Sequence, residues 1–560
     1  MSAKKTIESL LQETLEEMIS SENSLSLNNT PPIHVERPKN PEHGDYSCNL
    51  AFQLAPQLKK SPQVIGEMII AILTNRLNKN FIESVTFHPP GFINFKLKKS
   101  WIAIQVNLIT NEGTLFGNSN IGKQKKVQVE FVSVNPTGPI HIGHLRGAVY
   151  GSALANILKA AGYEVETEYY INDSGTQIDN FCLSIFARYK EIYGKTVEFP
   201  KDGYHGEYIK DLAQLISSQL GDTLLQLPED EACSKILPIS LTEILNLIKS
   251  DMSEVNVTYD NWFSEKSLYE SKEFDNIMES LKSANLIKKK DGAIWFLSSN
   301  FGDDKDKVLI RKNGTPTYFA SDVAYHWNKF NKRHFDWVID IWGADHHGHV
   351  PFMNAILKAL NIPNNKLSIL LYQLVTLKRN DETVRVSKRT GDIITLKELI
   401  NEVGTDPCRY FFLSRSPDTQ MDFDIQLAKQ ESNENPVYYI QYAYARCSSV
   451  LRKAKDMSID FNDADVSLLN SEEELSLIQK MLDLPDLIEM MSLKIEPHKL
   501  PHYTLELAGK LHWFYENCRI ITSLEKDIPL MKARLKLTNA CAIVFKKCLQ
   551  LMEMNTPSKM

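Results

Sequence analysis

Residues 127–162, VQVEFVSVNPTGPIHIGHLRGAVYGSALANILKAAG, constrain the fold more than any other stretch of this chain. Val127, Val129, Phe131 and Val132 are β-branched or aromatic, which predicts a strand. Asn135, Pro136, Gly138 and Pro139 then break it. Leu145, Val149, Ala153 and Ile157 recur at helical spacing, and Gly162 is placed to stop that helix. A strand, a Gly- and Pro-rich turn and a helix start form an anion site, because unpaired backbone N–H groups and the helix dipole both face the turn. His141 and His144 lie on this turn with Gly143 between them. Glycine lets a nucleotide come close to the backbone. Two imidazoles can donate hydrogen bonds to phosphate oxygens as charge builds there. Other readings fit the same residues. The histidines could be surface groups or a metal pair, and Gly147 and Gly151 could serve only close helix packing.

Length and charge narrow the choice. A chain of 560 residues predicts three or four domains. The net charge of −7 is unlike a generally basic nucleic-acid binder, so any RNA contact must come from local patches. No apolar run approaches the roughly 20 residues that cross a bilayer. The first residues, MSAKKTIESLLQETLEEM, follow an acidic amphipathic helix pattern, not that of a signal or transit peptide. The eight cysteines are scattered without a CxxC pair, which predicts reduced thiols in a cytoplasm and no zinc ribbon.

Taken in order, residues 1–111 read as an α+β unit, with helices near 5–20 and 62–78 and a strand at 92–97. Residues 112–126 read as a linker. The nucleotide fold begins at Val127, and 165–171 forms its second strand; a βαβ unit predicts a parallel sheet with ligands at the C-terminal strand ends. Residues 180–300 interrupt the pattern. Strands are expected again at 308–311, 337–342 and 368–377, a helix at 320–330, and 411–424 completes the core. From 430 to 560 helical periodicity dominates. Most of the aromatics in NPVYYIQYAYAR read as core. Lys532, Arg534, Lys536, Lys546 and Lys547 occur with no acid between them, a candidate basic patch for RNA. Asp345, His346, His347 and His349 in GADHHGH could suggest a metal site.

Five motifs appear in one order: HIGH at 141–144 after VEFVSVNPTGP, EYYINDSG at 168–175, PTYFASDVAYH at 316–326, GADHHGH at 343–349 and VSKRTG at 386–391. The set resembles arginyl-tRNA synthetases of the bacterial type, which are class I aminoacyl-tRNA synthetases. The resemblance implies an α/β fold: a Rossmann-like parallel-sheet catalytic domain at 127–429 with an insertion at about 180–300, an N-terminal α+β domain at 1–111, and a C-terminal all-helical anticodon-binding domain at 430–560. The N-terminal domain holds the tRNA elbow in that family. Asp45 and Tyr46 in PEHGDYS could serve that role or merely cap and pack.

The implied activity is arginine–tRNA ligase. Arginine and ATP give arginyl-adenylate and pyrophosphate, and the arginyl group passes to the 3′-terminal adenosine of tRNA-Arg. The implied partners are L-arginine, ATP with Mg²⁺ on its phosphates, and tRNA-Arg. No protein-only metal, no zinc and no membrane are expected, and a cytoplasmic monomer is. His141, His144 and Lys388 match the catalytic positions. Gly143, Val386 and Ser387 complete the ATP site. Glu130 and Asn135 match positions that hold the substrate's amino and carboxylate ends. Tyr318 and Asp322 match the guanidinium pocket, and His346 stands where some members carry Gln. Alone, these would read as a strand-end Glu, a packed Tyr and a helix-face Asp. Members without the second lysine of the VSKRTG-type loop carry one three residues before the first His; here Gly138 occupies that place and Lys388 the loop position.

Overall fold

The computed structural model describes residues 2–21, 30–379, 382–384 and 395–560. At its centre is a parallel sheet in the order Leu367–Tyr372, Trp337–Gly343, Lys126–Phe131, Glu164–Ile171, Asn261–Ser264. Lys126–Phe131 is the middle strand, and Val127 through Phe131 are all buried, as a strand covered on both faces requires. Helix Ile142–Ala160 crosses from this strand to the next. It lies close on the sheet: a Cβ on Gly151 would stand 2.2 Å from the Phe131 ring, and one on Gly147 2.9 Å from Tyr372. Both glycines therefore serve packing, one of the readings open from sequence. Gly162 ends the turn that follows, at φ +86°.

The segment after Glu164–Ile171 holds helices Thr176–Ile192, Glu207–Leu220 and Glu229–Glu254 before Asn261–Ser264 rejoins the sheet. A short antiparallel sheet follows, Ile287–Lys290 against Ala293–Phe296 against Lys307–Ile310. Two sequence expectations are corrected here. The 308–311 strand belongs to this small sheet, with Val308 opposite Trp295, and not to the parallel core. The fifth core strand is instead NWFS, within the stretch taken as an interruption. Four residues flanked by polar loops carry too little periodicity to announce a strand. The expected 368–377 strand divides as well. Leu367–Tyr372 edges the core, and Val375–Arg379 joins Glu382–Val384 and Met421–Asp424 in a separate sheet. Residues 411–413 are helical, the end of Thr405–Leu413.

The N-terminal unit is α+β: a four-stranded antiparallel sheet with helices Ala3–Ser21, Leu50–Leu58 and Pro62–Arg76. The C-terminal unit is helical, with Pro436–Asp456, Glu472–Leu482, Leu484–Lys494, Lys499–Asn517 and Ile528–Leu551. The two units touch. Arg37 Nε pairs with Asp483 at 2.6 Å, Lys5 with Glu489 at 2.5 Å, and Gln479 Nε2 donates to Asp45 Oδ1 at 2.5 Å. Asp45 also accepts from the Leu97 N–H at 2.6 Å, and the Arg37 guanidinium lies 4.8 Å over the Tyr46 ring. Asp45 and Tyr46 thus cap and pack. Among the described residues no helix is long and apolar enough to cross a membrane.

Candidate active site

The turn after the middle strand is strained. Val132 has φ +72° and Ser133 φ +44°, left-handed values that cost a non-glycine residue roughly 1–3 kcal/mol each. That bend swings Ser133 Oγ back to donate to Glu130 Oε1 at 3.0 Å and to accept from the Tyr170 N–H at 3.1 Å. The chain then runs to His141, the N-cap of helix Ile142–Ala160. His141 Nδ1 accepts the Gly143 N–H at 3.1 Å, and the His144 ring centroid lies 3.7 Å from that of His141. A Cβ on Gly143 would stand 2.9 Å from His141 Cε1, so only glycine keeps this cap. The two imidazoles, the capped N–H groups and the helix dipole share one space.

Gly138 is enclosed. A Cβ there would meet the Tyr208 hydroxyl at 2.9 Å, and that hydroxyl donates to Thr137 O at 2.8 Å. A lysine at 138 therefore has no room on this backbone. Asn135 Nδ2 donates to Gln177 Oε1 at 2.6 Å, so Asn135 stands where the first crossover meets helix Thr176–Ile192.

Helix Tyr318–Trp327 reaches the end of the middle strand, where the Tyr325 hydroxyl donates to Glu130. Tyr318 and Asp322 are four residues apart and share a face. Tyr318 is 53% exposed and stacks on His349 with centroids 5.0 Å apart. Burial and the carboxylates of Glu265, Glu130 and Asp340 push Asp322 up to about 8, against the opposing charge of Lys329. Glu130 is only 6% exposed; Oε2 accepts from Lys329 Nζ at 2.6 Å and from the Tyr325 hydroxyl at 3.0 Å. Glu265 escaped the sequence reading. It follows the unrecognised strand Asn261–Ser264, accepts the Ser321 hydroxyl at 2.5 Å and bears on Asp322. Its one available signal was an acid at the C-terminal end of a core strand. His346 is exposed on a short turn, 6.1 Å from the Trp342 ring. Among the described residues no three His, Cys, Asp or Glu side chains are grouped as metal ligands would be.

Val386, Ser387 and Lys388 lie outside the described residues. The chain is described again at Thr395, which forms a β-bridge with His141.

Two cations of the C-terminal basic run have partners within the protein. Arg534 Nε pairs with Glu474 at 2.7 Å, and Lys536 Nζ donates to Asn462 O at 2.5 Å. Met531, Ala533, Leu535 and Leu537, between those cations, are buried. Lys532 and Lys536 share one face of helix Ile528–Leu551 while Arg534 lies about 200° round from Lys532, so the run is not one continuous surface. A different surface stands out on helices Pro436–Asp456 and Lys499–Asn517. Tyr438 and Tyr442 stack nearly parallel, 6.1 Å apart, and Arg446 lies 4.7 Å over Tyr442 and 4.2 Å over Tyr515.

Comparison with known proteins bears directly on this geometry. Residues 5–97 match the arginyl tRNA synthetase N terminal domain, 105–410 the catalytic domain of class I (R) tRNA synthetases, and 440–560 the DALR anticodon binding domain. An arginine–tRNA ligase of Dehalococcoides mccartyi is 49% identical over 528 residues, covering 94% of each chain. An arginyl-tRNA synthetase structure from Campylobacter jejuni is 34% identical, with a TM-score of 0.75 over 83% of this chain and 100% of that one. The Thermus thermophilus arginyl-tRNA synthetase, at 22% identity, shares the fold across 100% of both chains with a TM-score of 0.77. The chain belongs to the arginyl-tRNA synthetases, class I enzymes that are arginine–tRNA ligases.

Proposed function

We propose that this arginine–tRNA ligase holds its amino acid between the strand-end carboxylate Glu130 and the helix-borne pair Tyr318 and Asp322. The observation that carries this is the excess of acid at Asp322, where Glu265, Glu130 and Asp340 outweigh Lys329. A guanidinium is always charged and offers five N–H donors, so it supplies what this recess lacks. Glu265 is the second carboxylate of that pocket. Asn135 and the remaining lone pair of Glu130 Oε1 serve the substrate's carboxylate and amino ends. His346 lines the approach.

ATP binds at the histidine turn, with Gly143 admitting it to the backbone. Mg²⁺ enters as part of the MgATP substrate. An arginine carboxylate oxygen attacks the α-phosphorus, the α–β bond breaks, and pyrophosphate leaves. Negative charge gathers on the phosphate oxygens, so the chemistry needs positioned donors and cations rather than a nucleophile. His141 and His144 are those donors. Lys388 neutralises the departing pyrophosphate, the role its place in the VSKRTG motif implies. The terminal adenosine hydroxyl of tRNA then attacks the acyl carbon and AMP leaves. We assign tRNA contact in the helical unit to the Tyr438, Tyr442, Arg446 and Tyr515 surface. The N-terminal unit supplies a second contact, and the enzyme acts as a cytoplasmic monomer. ATP–pyrophosphate exchange with total tRNA and each amino acid in turn is the test. Exchange with arginine alone is expected; exchange with another amino acid at a similar rate would overturn the pocket assignment.

A further inference from the structure

Asp340, Glu130 and Glu168 lie on three neighbouring strands in direct register, Asp340 opposite Glu130 and Glu130 opposite Glu168. All three are buried, so three acids share one row of the sheet. Such a row is stable only if cations and donors cover it. One segment does so. Helix Tyr318–Trp327 runs into a single π-turn, Asn328–Lys332. Over four residues an α-helix overshoots a full turn by about 40°; the wider π-turn offsets this and keeps Tyr325, Lys329 and Arg333 above the row. Tyr325 donates to Glu130 and Glu168, and His326 Nε2 meets Asp340 Oδ2 at 2.9 Å. Arg333 grips Glu168, with Nη2 at 2.9 Å. Lys329 is fully buried and bridges Glu130 at 2.6 Å and Asp340 at 2.9 Å. Burying an ammonium is costly, and removing it alone would strand two buried carboxylates. What the ammonium adds is a fixed distance between two elements.

We infer that Lys329 is a positioning residue that selects the length of the amino-acid substrate. The sheet carries Glu130 and the helix carries Asp322. Lys329 fastens one to the other from the far end of the same helix, so it sets the separation of the two groups that read the substrate's ends. The inference rests on the assignment of Asp322 and Tyr318 to the guanidinium.

Aminoacylation by a Lys329→Met variant is measured with arginine, with homoarginine (one methylene longer) and over a range of ATP. The KM for arginine should rise about 10–100-fold, as a misplaced binding group costs. The KM for ATP should stay within about twofold, and the preference for arginine over homoarginine should collapse. A folded variant with unchanged preference, or with both KM values raised alike, overturns the inference. If Lys329→Met does not fold, Asp340→Asn, near-isosteric, withdraws one of the two acids that hold Lys329 and should lower the preference in the same direction; an unchanged preference there overturns it. Asp322→Asn separates the two levels. A selective arginine loss in Asp322→Asn without one in Lys329→Met discards the positioning role alone. Equal loss of arginine and ATP in Asp322→Asn discards the pocket itself.

Discussion

In the proposed pocket, Asp322 binds its ligand as an acid that must first lose a proton. In the arginine-free protein burial and neighbouring carboxylates hold it up to about 8, so near neutrality it is largely neutral. A guanidinium pairs only with the ionised form, so arginine binding releases a proton. The sign follows: affinity rises with pH, by up to about tenfold per unit between pH 6 and 8, and levels above pH 8. Titration calorimetry in buffers of different ionisation heat should show that proton release. In Asp322→Asn the slope should vanish and arginine binding weaken by roughly 2–5 kcal/mol, with ATP little affected. A retained slope would assign the proton to another group. The histidines should behave differently, because their proposed role lies in the transition state. His141→Ala or His144→Ala should lower kcat about 10²–10³-fold, and single-turnover adenylate formation in the presence of tRNA measures it. Unchanged turnover in either variant removes the phosphate role. His141, Gly143 and His144 were legible in the sequence because their turn is local. The environment of Asp322 was not: Glu130 and Asp340 lie on two neighbouring strands and Glu265 follows a third.

Helix Ile142–Ala160 shows what an element-level pattern hides. Its apolar spacing at Leu145, Val149, Ala153 and Ile157 marked one buried face, yet it is buried nearly all round. Arg146 is the consequence. It is fully buried, and its guanidinium donates to Gln373 O and Thr419 O at 2.8 Å and to Ser416 O at 2.7 Å. One side chain thereby ties the histidine helix to the end of strand Leu367–Tyr372 and to the segment before Met421–Asp424. Nothing in the sequence marks this role, because its partners are backbone carbonyls more than two hundred residues away. Arg146→Met leaves those acceptors unpaired and should cost at least about 3 kcal/mol in denaturant unfolding. Arg146→Lys should recover little, since an ammonium cannot reproduce a planar fork. A loss below 1 kcal/mol in the Met variant would mean that water takes over the carbonyls.

Across the whole molecule, the proposed tRNA contacts divide between charge and shape. The net charge of −7 predicted that RNA contact must be local, and the run at 532–547 seemed to provide it. In three dimensions Arg534 and Lys536 hold helices and turns together within the C-terminal unit. The fold class and the order of its parts were legible, because each rests on periodicity or on a local motif. How surfaces assemble was not, since helix packing decides which face of a run meets water. The same packing brings Tyr438, Tyr442 and Arg446 from one helix beside Tyr515 from another, a contact no one-dimensional pattern shows. These aromatics read as core in sequence, yet Tyr438 and Tyr442 keep part of their surface and Tyr515 is 38% exposed. Aromatic faces stack on bases whatever the ionic strength, whereas phosphate contacts weaken as salt rises. The two modes therefore separate in one titration. Tyr438→Ala with Tyr442→Ala should weaken tRNA binding by about 1–3 kcal/mol for each base stacked, with the salt slope unchanged. Lys532→Gln should change the slope by no more than roughly 0.7–0.9, the value of one phosphate contact, and leave affinity at high salt intact. If the tyrosine variant binds tRNA as the wild type does while the lysine variant loses most of its affinity, recognition runs through charge at the C-terminal helix, and the aromatic surface is only packing.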